Sequence, residues 1–243
     1  MGRTVGCVGD RTVKAVVIGA TGLVGRELVR QLLAHPEYEG VRTLSRRPLA
    51  IEDDRIEAHR IDFGRLEGAG PVFEGIDHVF SCFGTTLSAV GRDRDLFRQI
   101  DLGYPLASAK LAARAGVDHF VFVSSVEADP EGPIFQSRVK GDLESALAEV
   151  AIPRITAVQP SLLDGRREKV RWDERFLLRL FQLVSPLLRG RLRTYRPIAV
   201  SDVARDMILA ALQRPTESHM RVSPIRTPGG ARNRVTTPHS QRV

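Results

Sequence analysis

Aromatic side chains are scarce in this 243-residue chain: one Trp, three Tyr and ten Phe make up 6% of it. A core must therefore be built mainly from aliphatic residues, and a hydrophobic content of 42% is enough for one domain of ordinary size. Cysteine is scarcer still. Cys7 and Cys82 lie far apart and form no C-x-x-C pair, which excludes a disulfide framework. The six histidines are scattered without ligand spacing, so no metal site is expected. Such cysteine usage fits a reducing compartment, and the cytoplasm is the expected location. Apolar runs are broken by charge, Gly or Pro well before they reach about 18 residues, and the opening MGRTVGCVGDRTVK lacks the apolar centre of a signal peptide. Neither a membrane span nor a leader is expected.

The formal charge of +7 invites a nucleic-acid reading until its distribution is read. Residues 214–243 carry six Arg (214, 221, 226, 232, 234 and 242) against Glu217 alone, so most of the excess belongs to the end of the chain. That segment is rich in Pro, Ser, Thr and Gly and is expected to be a disordered basic tail. With no groove-reading motif, specific nucleic-acid binding is not expected. Residues 1–12 read as a flexible extension and 13–213 as one domain.

Within that domain short β-branched runs alternate with helical patterns. VKAVVI, VRTL, RIEAHRI, DHVFSC, HFVFV and RITAV read as strands; GLVGRELVRQLL, LGYPLASAKLAARAG and SRVKGDLESALAEV read as helices. Continuous apolar strands interleaved with helices predict an α/β fold, a doubly wound parallel sheet with helices on both faces. A further helix is expected over RWDERFLLRLFQLVSPLLRG, with Trp172, Phe176, Leu180 and Val184 on one face, as core packing, a lid or a subunit contact; a homodimer is left open. PIAVSDVARDMILAAL reads as a short extended piece, an N-cap at Ser201 or Asp202, and a closing helix.

Between the first strand and helix stands Gly19-Ala20-Thr21-Gly22-Leu23-Val24-Gly25. In that context the three glycines match a dinucleotide-binding turn: one for the bend, one for backbone approach to a pyrophosphate, one for close packing of helix on strand. Sites that choose NAD place an acid at the end of the second strand, but here Arg46 and Arg47 stand in TLSRRPL. A guanidinium holds a 2′-phosphate through charge-assisted bonds worth about 1.5–3 kcal/mol each, so NADP(H) is expected over NAD(H). After the third strand, Asp62 and Phe63 stand where an adenine edge and face would be met.

Taken together, GATGLVG, LSRRPL, IDF, CFGTT, the D-x-x-Y of Asp101 and Tyr104, AGVDHFVFVSS, VKGDLE and PSLLDGR resemble the atypical short-chain dehydrogenase/reductases, and among them the Tat-interacting oxidoreductase group. The resemblance runs from Val16 to about Leu212. It implies a Rossmann-type fold binding NADP(H), with Cys82, Phe83 and Gly84 passing the ribose and nicotinamide side and Pro160 to Leu162 closing over the nicotinamide. It also implies a catalytic serine after the fifth strand and a Y-x-x-x-K pair on the next helix. Ser125 matches the serine and Lys140 the lysine, which is expected to bond the ribose.

Gln136 occupies the tyrosine's place. An amide does not deliver a proton near pH 7, so general acid–base help is missing there. Likewise Gln159 precedes Pro160 where the group often has Arg. Three functions stay open: an oxidoreductase acting on a small carbonyl or alcohol, a non-catalytic NADPH-binding regulator or assembly factor working through a protein partner, and non-specific nucleic-acid or membrane binding through the basic tail. Ser124 and Ser125 read equally well as strand-end caps. Cys82 reads as an inert buried thiol, and Tyr104 as a packing ring.

Overall fold

The computed structural model describes residues 12–126, 128–160, 163–164, 198–213 and 220–224. In chain order these form β1 (Val13–Ile18), α1 (Leu23–Ala34), β2 (Tyr38–Ser45), β3 (Ile56–Arg60), a kinked 3₁₀ segment (Phe63–Phe73) and β4 (His78–Ser81). Then come α2 (Arg94–Arg98), a π turn (Gln99–Gly103), α3 (Tyr104–Arg114), β5 (His119–Val123), α4 (Phe135–Ala148) and β6 (Arg154–Gln159). The last are β7 (Leu163–Asp164), β8 (Ile198–Ala199), α5 (Val200–Leu212) and β9 (Met220–Pro224). Among these elements no helix is long and apolar enough to cross a membrane.

Seven strands form one parallel sheet in the order β3-β2-β1-β4-β5-β6-β9, and β7 and β8 pair separately. Strand residues point alternately to the two faces, so a sheet covered on both sides needs continuous apolar runs. In β1, Ala15 and Val17 meet α1 and α5 through Leu28, Leu32, Val203 and Met207, whereas Val16 and Ile18 face the cluster of Phe73, Ala109, Leu143 and Leu147. Ala109 and Ala112 are wholly buried, and their small side chains let α3 lie close to the sheet. The expected doubly wound Rossmann-type fold is present. Because β1 pairs with both β2 and β4, connections leave it in opposite directions and a crevice opens at the carboxyl ends of β1 and β4.

Two expectations need correction. The first concerns the basic segment from 214 onward: Met220–Pro224 is the seventh strand, parallel to β6 from Ile155↔Met220 to Gln159↔Pro224. Pairing satisfies backbone groups that β6 would otherwise leave open at an edge, and Met220 and Val222 pack against the core. Thirty residues of averaged composition concealed these five. The second concerns α5, which starts at Val200 with Ala199 as its N-cap. Ile198 and Ala199 pair with β7 and hand the chain straight into the helix, so Ser201 and Asp202 lie inside its first turn. Residues 1–11 of the expected extension at 1–12, with Cys7, the helix read around Trp172, Leu162, and residues 214–219 and 225–243 of the basic segment all lie outside the described residues.

At the amino ends of the strands, opposite the crevice, three buried polar rings meet. The Tyr38 hydroxyl is hydrogen-bonded to His78 Nδ1 at 2.9 Å, and His78 stands in register with His119, whose Nε2 lies 2.9 Å from Thr156 Oγ1. Burial, reinforced by the cationic Arg154, pushes His78 down to about 4 and His119 down to about 3, and each imidazole is held neutral. The unfolded chain takes up these protons near pH 6.5, while the folded one does not until the lower values are reached. The part of the stability that depends on these two histidines is therefore complete above pH 6.5 and lost as pH falls, with His78 alone removing on the order of 3 kcal/mol by pH 4. Urea denaturation followed by circular dichroism should show the midpoint dropping between pH 7 and pH 4.5, less steeply in His78→Gln. An equally steep profile in that variant would assign the acid sensitivity to other groups.

Candidate functional site

The crevice is floored by the turn between β1 and α1. Gly19 has φ +78°, a conformation side chains rarely adopt, and a Cβ there would lie 3.1 Å from the Cys82 carbonyl oxygen. A Cβ on Gly25 would stand 2.3 Å from the Gly19 carbonyl oxygen and 2.9 Å from Ala20 Cα, so helix and turn touch backbone to backbone. Gly22 is the N-cap of α1, with no side-chain cap and no acid in the first turn. The first N–H groups of α1 are thus left for a ligand, at the positive end of the helix dipole. Ala20 and Val24 are buried, Thr21 is half-buried, and Leu23 is exposed on the rim. This cradle fits the diphosphate of a dinucleotide, because what would fill it is only the side chain that each glycine lacks.

Arg46 and Arg47 are exposed just past the end of β2, and the Ser45 hydroxyl donates to the Arg47 carbonyl at 2.6 Å, fixing the bend that carries them. Asp62 is exposed and caps the 3₁₀ segment by accepting from the Gly64 N–H at 2.9 Å. Phe63 is placed differently from the expectation of an adenine platform. It is 5% exposed and packs its ring on Phe83 and Tyr104, at centroid distances of 4.8 and 5.6 Å. The cause is the 3₁₀ turn, which rolls this aromatic inward.

The turn after β4 carries Cys82, Phe83 and Gly84. Cys82 is half-buried, and burial pushes its thiol up, away from the reactive thiolate. Phe83 is buried against Tyr104, while Gly84 is exposed. The next residue is held by charge: Thr85 N–H donates to Asp101 Oδ2 at 2.9 Å. The D-x-x-Y spacing thereby has a physical meaning, since Asp101 fastens the backbone of this loop and Tyr104 fastens its Phe83 ring.

Lys140, in the middle of α4, is buried and its Nζ lies 2.9 Å from Asp101 Oδ1. The same nitrogen reaches the Val123 carbonyl at 3.4 Å, which puts the ammonium at the carboxyl end of β5. One turn further along, Glu144 accepts through one oxygen from the Ser124 hydroxyl and from Gln159 Nε2, the latter at 2.9 Å. Burial raises the Glu144 carboxyl above its ordinary value, opposed by those two donors and by the nearby Lys140 charge. Gln159 brings only a neutral donor to this buried acid. Neither the Asp101–Lys140 pair nor the Glu144 cluster was read from the sequence. The available signal was the four-residue step from Lys140 to Glu144, which puts both on one side of α4.

Ser125 follows β5, half-buried, and its hydroxyl donates to the Val126 carbonyl at 3.0 Å. The loop beyond it lies directly on α4: a Cβ on Gly141 would fall 2.3 Å from Pro130 N. Gly141 therefore lets the serine loop fold back beside Lys140. Pro160 is buried and its carbonyl accepts from Val126 N–H at 3.2 Å, joining the ends of β5 and β6. Gln136 is exposed on the first turn of α4. No described tyrosine takes its place, because Tyr38 stands at the far end of the sheet and Tyr104 is packed on Phe63 and Phe83.

Comparison with known proteins agrees with this layout. The profile of the NAD(P)H-binding family matches residues 19–152. The rat protein HTATIP2 is 32% identical over 161 residues, covering 65% of this chain and 66% of that protein. FMP52 of Debaryomyces hansenii, named as mitochondrial, is 32% identical over 195 residues, covering 79% of this chain and 84% of that protein. Among solved structures, MoeE5 in complex with UDP-glucose and NAD superimposes with a TM-score of 0.64 at 20% identity, covering 87% of this chain and 76% of that one, which speaks for the fold. The cytoplasmic location expected from the cysteines is corrected here, since several fungal relatives named FMP52 are mitochondrial by name. Two separated cysteines report a reducing compartment and do not distinguish among such compartments. With a profile match over more than half of the chain and a relative aligned over most of its length, the chain belongs to the NAD(P)H-binding family and is related to HTATIP2 and FMP52.

Proposed function

We propose that the protein is an NADP(H)-dependent oxidoreductase of the atypical short-chain type, acting on a small carbonyl or alcohol, with catalysis weakened by Gln136. The observation that carries this reading is the convergence at one end of the sheet of the Gly19–Gly25 cradle, the Asp101-held Lys140 and the serine loop after β5. When bound, the reduced cofactor supplies a hydride to the carbonyl carbon. Lys140 has three donors, of which Asp101 and Val123 engage two, so one N–H is left for a ribose hydroxyl. Ser125 turns its hydroxyl from the Val126 carbonyl to the substrate oxygen and polarises it. The proton that completes the alcohol comes from water, because the amide of Gln136 has none to give.

Preference for NADP(H) rests on Arg46 and Arg47, exposed past β2 where an acid would favour NAD. Calorimetric titration should find NADPH bound roughly tenfold or more tighter than NADH, with the gap shrinking in Arg46→Ala. Equal affinities in the parent would refute the arginine argument.

A second reading is favoured by the exposed amide itself: a non-catalytic regulator or assembly factor that senses NADPH occupancy and passes it to a protein partner. Turnover separates the two. On a panel of aldehydes, ketones and quinones the parent should oxidise NADPH slowly, and Gln136→Tyr should raise the rate by about 10²–10⁴-fold. NADPH binding without turnover in the parent, combined with gain of turnover in the variant, would support the regulator and sink the enzyme.

A further inference from the structure

Asp101 is the most deeply buried acid at the crevice, 1% exposed, and it stands on the π turn between α2 and α3. Its two oxygens are divided between the loop after β4 and α4. Oδ2 accepts from Thr85 N–H at 2.9 Å, and Oδ1 faces Lys140 Nζ at 2.9 Å. The π turn widens the helix at this step, and such widenings place side chains that an α-helix would direct elsewhere.

We infer that Asp101 is the positioning residue of the nicotinamide half of the site: one carboxylate aims the Lys140 ammonium at the cofactor's ribose and holds the loop at Thr85 against the same end of the ligand. This rests on the dinucleotide reading proposed above. A lysine on its flexible stem loses rotamer freedom when it grips a ligand, and a loop loses backbone freedom. Here both are ordered in advance, so ligand binding does not have to order them. Asp101 does this without touching the ligand. Its effect is confined to one half, because the cradle at Gly19–Gly25 and the arginines after β2 belong to elements with which the Asp101 carboxylate makes no bond.

Charge decides which variants are informative. Removing one member of a buried ion pair leaves the other uncompensated, whereas removing both together is far less disruptive. Asn in place of Asp101 keeps an oxygen for Thr85 N–H, but turns a neutral NH2 donor towards Lys140 and so removes both the charge and the acceptor that hold the ammonium. The probes are NADPH and adenosine 2′,5′-bisphosphate, which contains the adenine half alone; both are titrated calorimetrically into the full chain. Asp101→Asn should weaken NADPH about tenfold while leaving the bisphosphate unchanged. Loss of both in equal measure, as from general damage, or loss of neither would overturn the inference. Should that variant fail to fold, Asp101→Asn/Lys140→Met removes both charges and should bind NADPH as Lys140→Met alone does; several-fold weaker binding than the single variant would overturn it as well. Failure of the parent to bind either probe would instead sink the dinucleotide reading, and the two failures are distinguishable.

Discussion

The contact between α1 and the turn before it is the constraint on which the rest is built. At Gly25 the helix lies so near the Gly19 carbonyl that no side chain fits between them. That approach presses α1 onto the carboxyl end of β1 and points its uncapped N-terminus into the crevice. Once this is set, β4 must deliver Cys82 beside Gly19, and the loop beyond Cys82 must run along the crevice wall. The ligand site is therefore a consequence of backbone packing in a parallel sheet, with side chains added afterwards.

Around the other half of the crevice the construction is ionic. Asp101 and Lys140 are both buried, and each compensates the charge of the other. Glu144 lies one turn from the lysine, and burial raises its carboxyl against the opposing pull of Ser124, Gln159 and the Lys140 charge. The two amides of this region thus have different consequences. At 136 the glutamine stands exposed on the first turn of α4; at 159 it gives a buried acid a neutral donor.

Much of the architecture was legible because it is local. The alternation of VKAVVI and its counterparts with amphipathic runs determined the class, since apolar strands must be covered on both faces. HFVFV and VKAVVI match β5 and β1 residue for residue. What escaped was set by partners distant in sequence. β9 is a strand because β6 has an open edge, and Phe63 is a core residue because a 3₁₀ turn rolls it onto Phe83 and Tyr104. Neither fact has a period or a motif.

The same division holds in the site. By itself the sequence determined the glycine cradle, the arginines after β2, the serine loop and the lysine, because each depends on residue type at short spacing along one strand–turn–helix unit. It also put Gln136 at the position where the resemblance to the short-chain family implies a tyrosine. Only the tertiary structure decided what the lysine faces. Asp101 lies thirty-nine positions earlier, on another element, and nothing in the order of residues says that its carboxylate divides itself between Thr85 and Lys140. That pairing exists because α3 and α4 cover the same face of the sheet, and burial there favours charges that compensate each other.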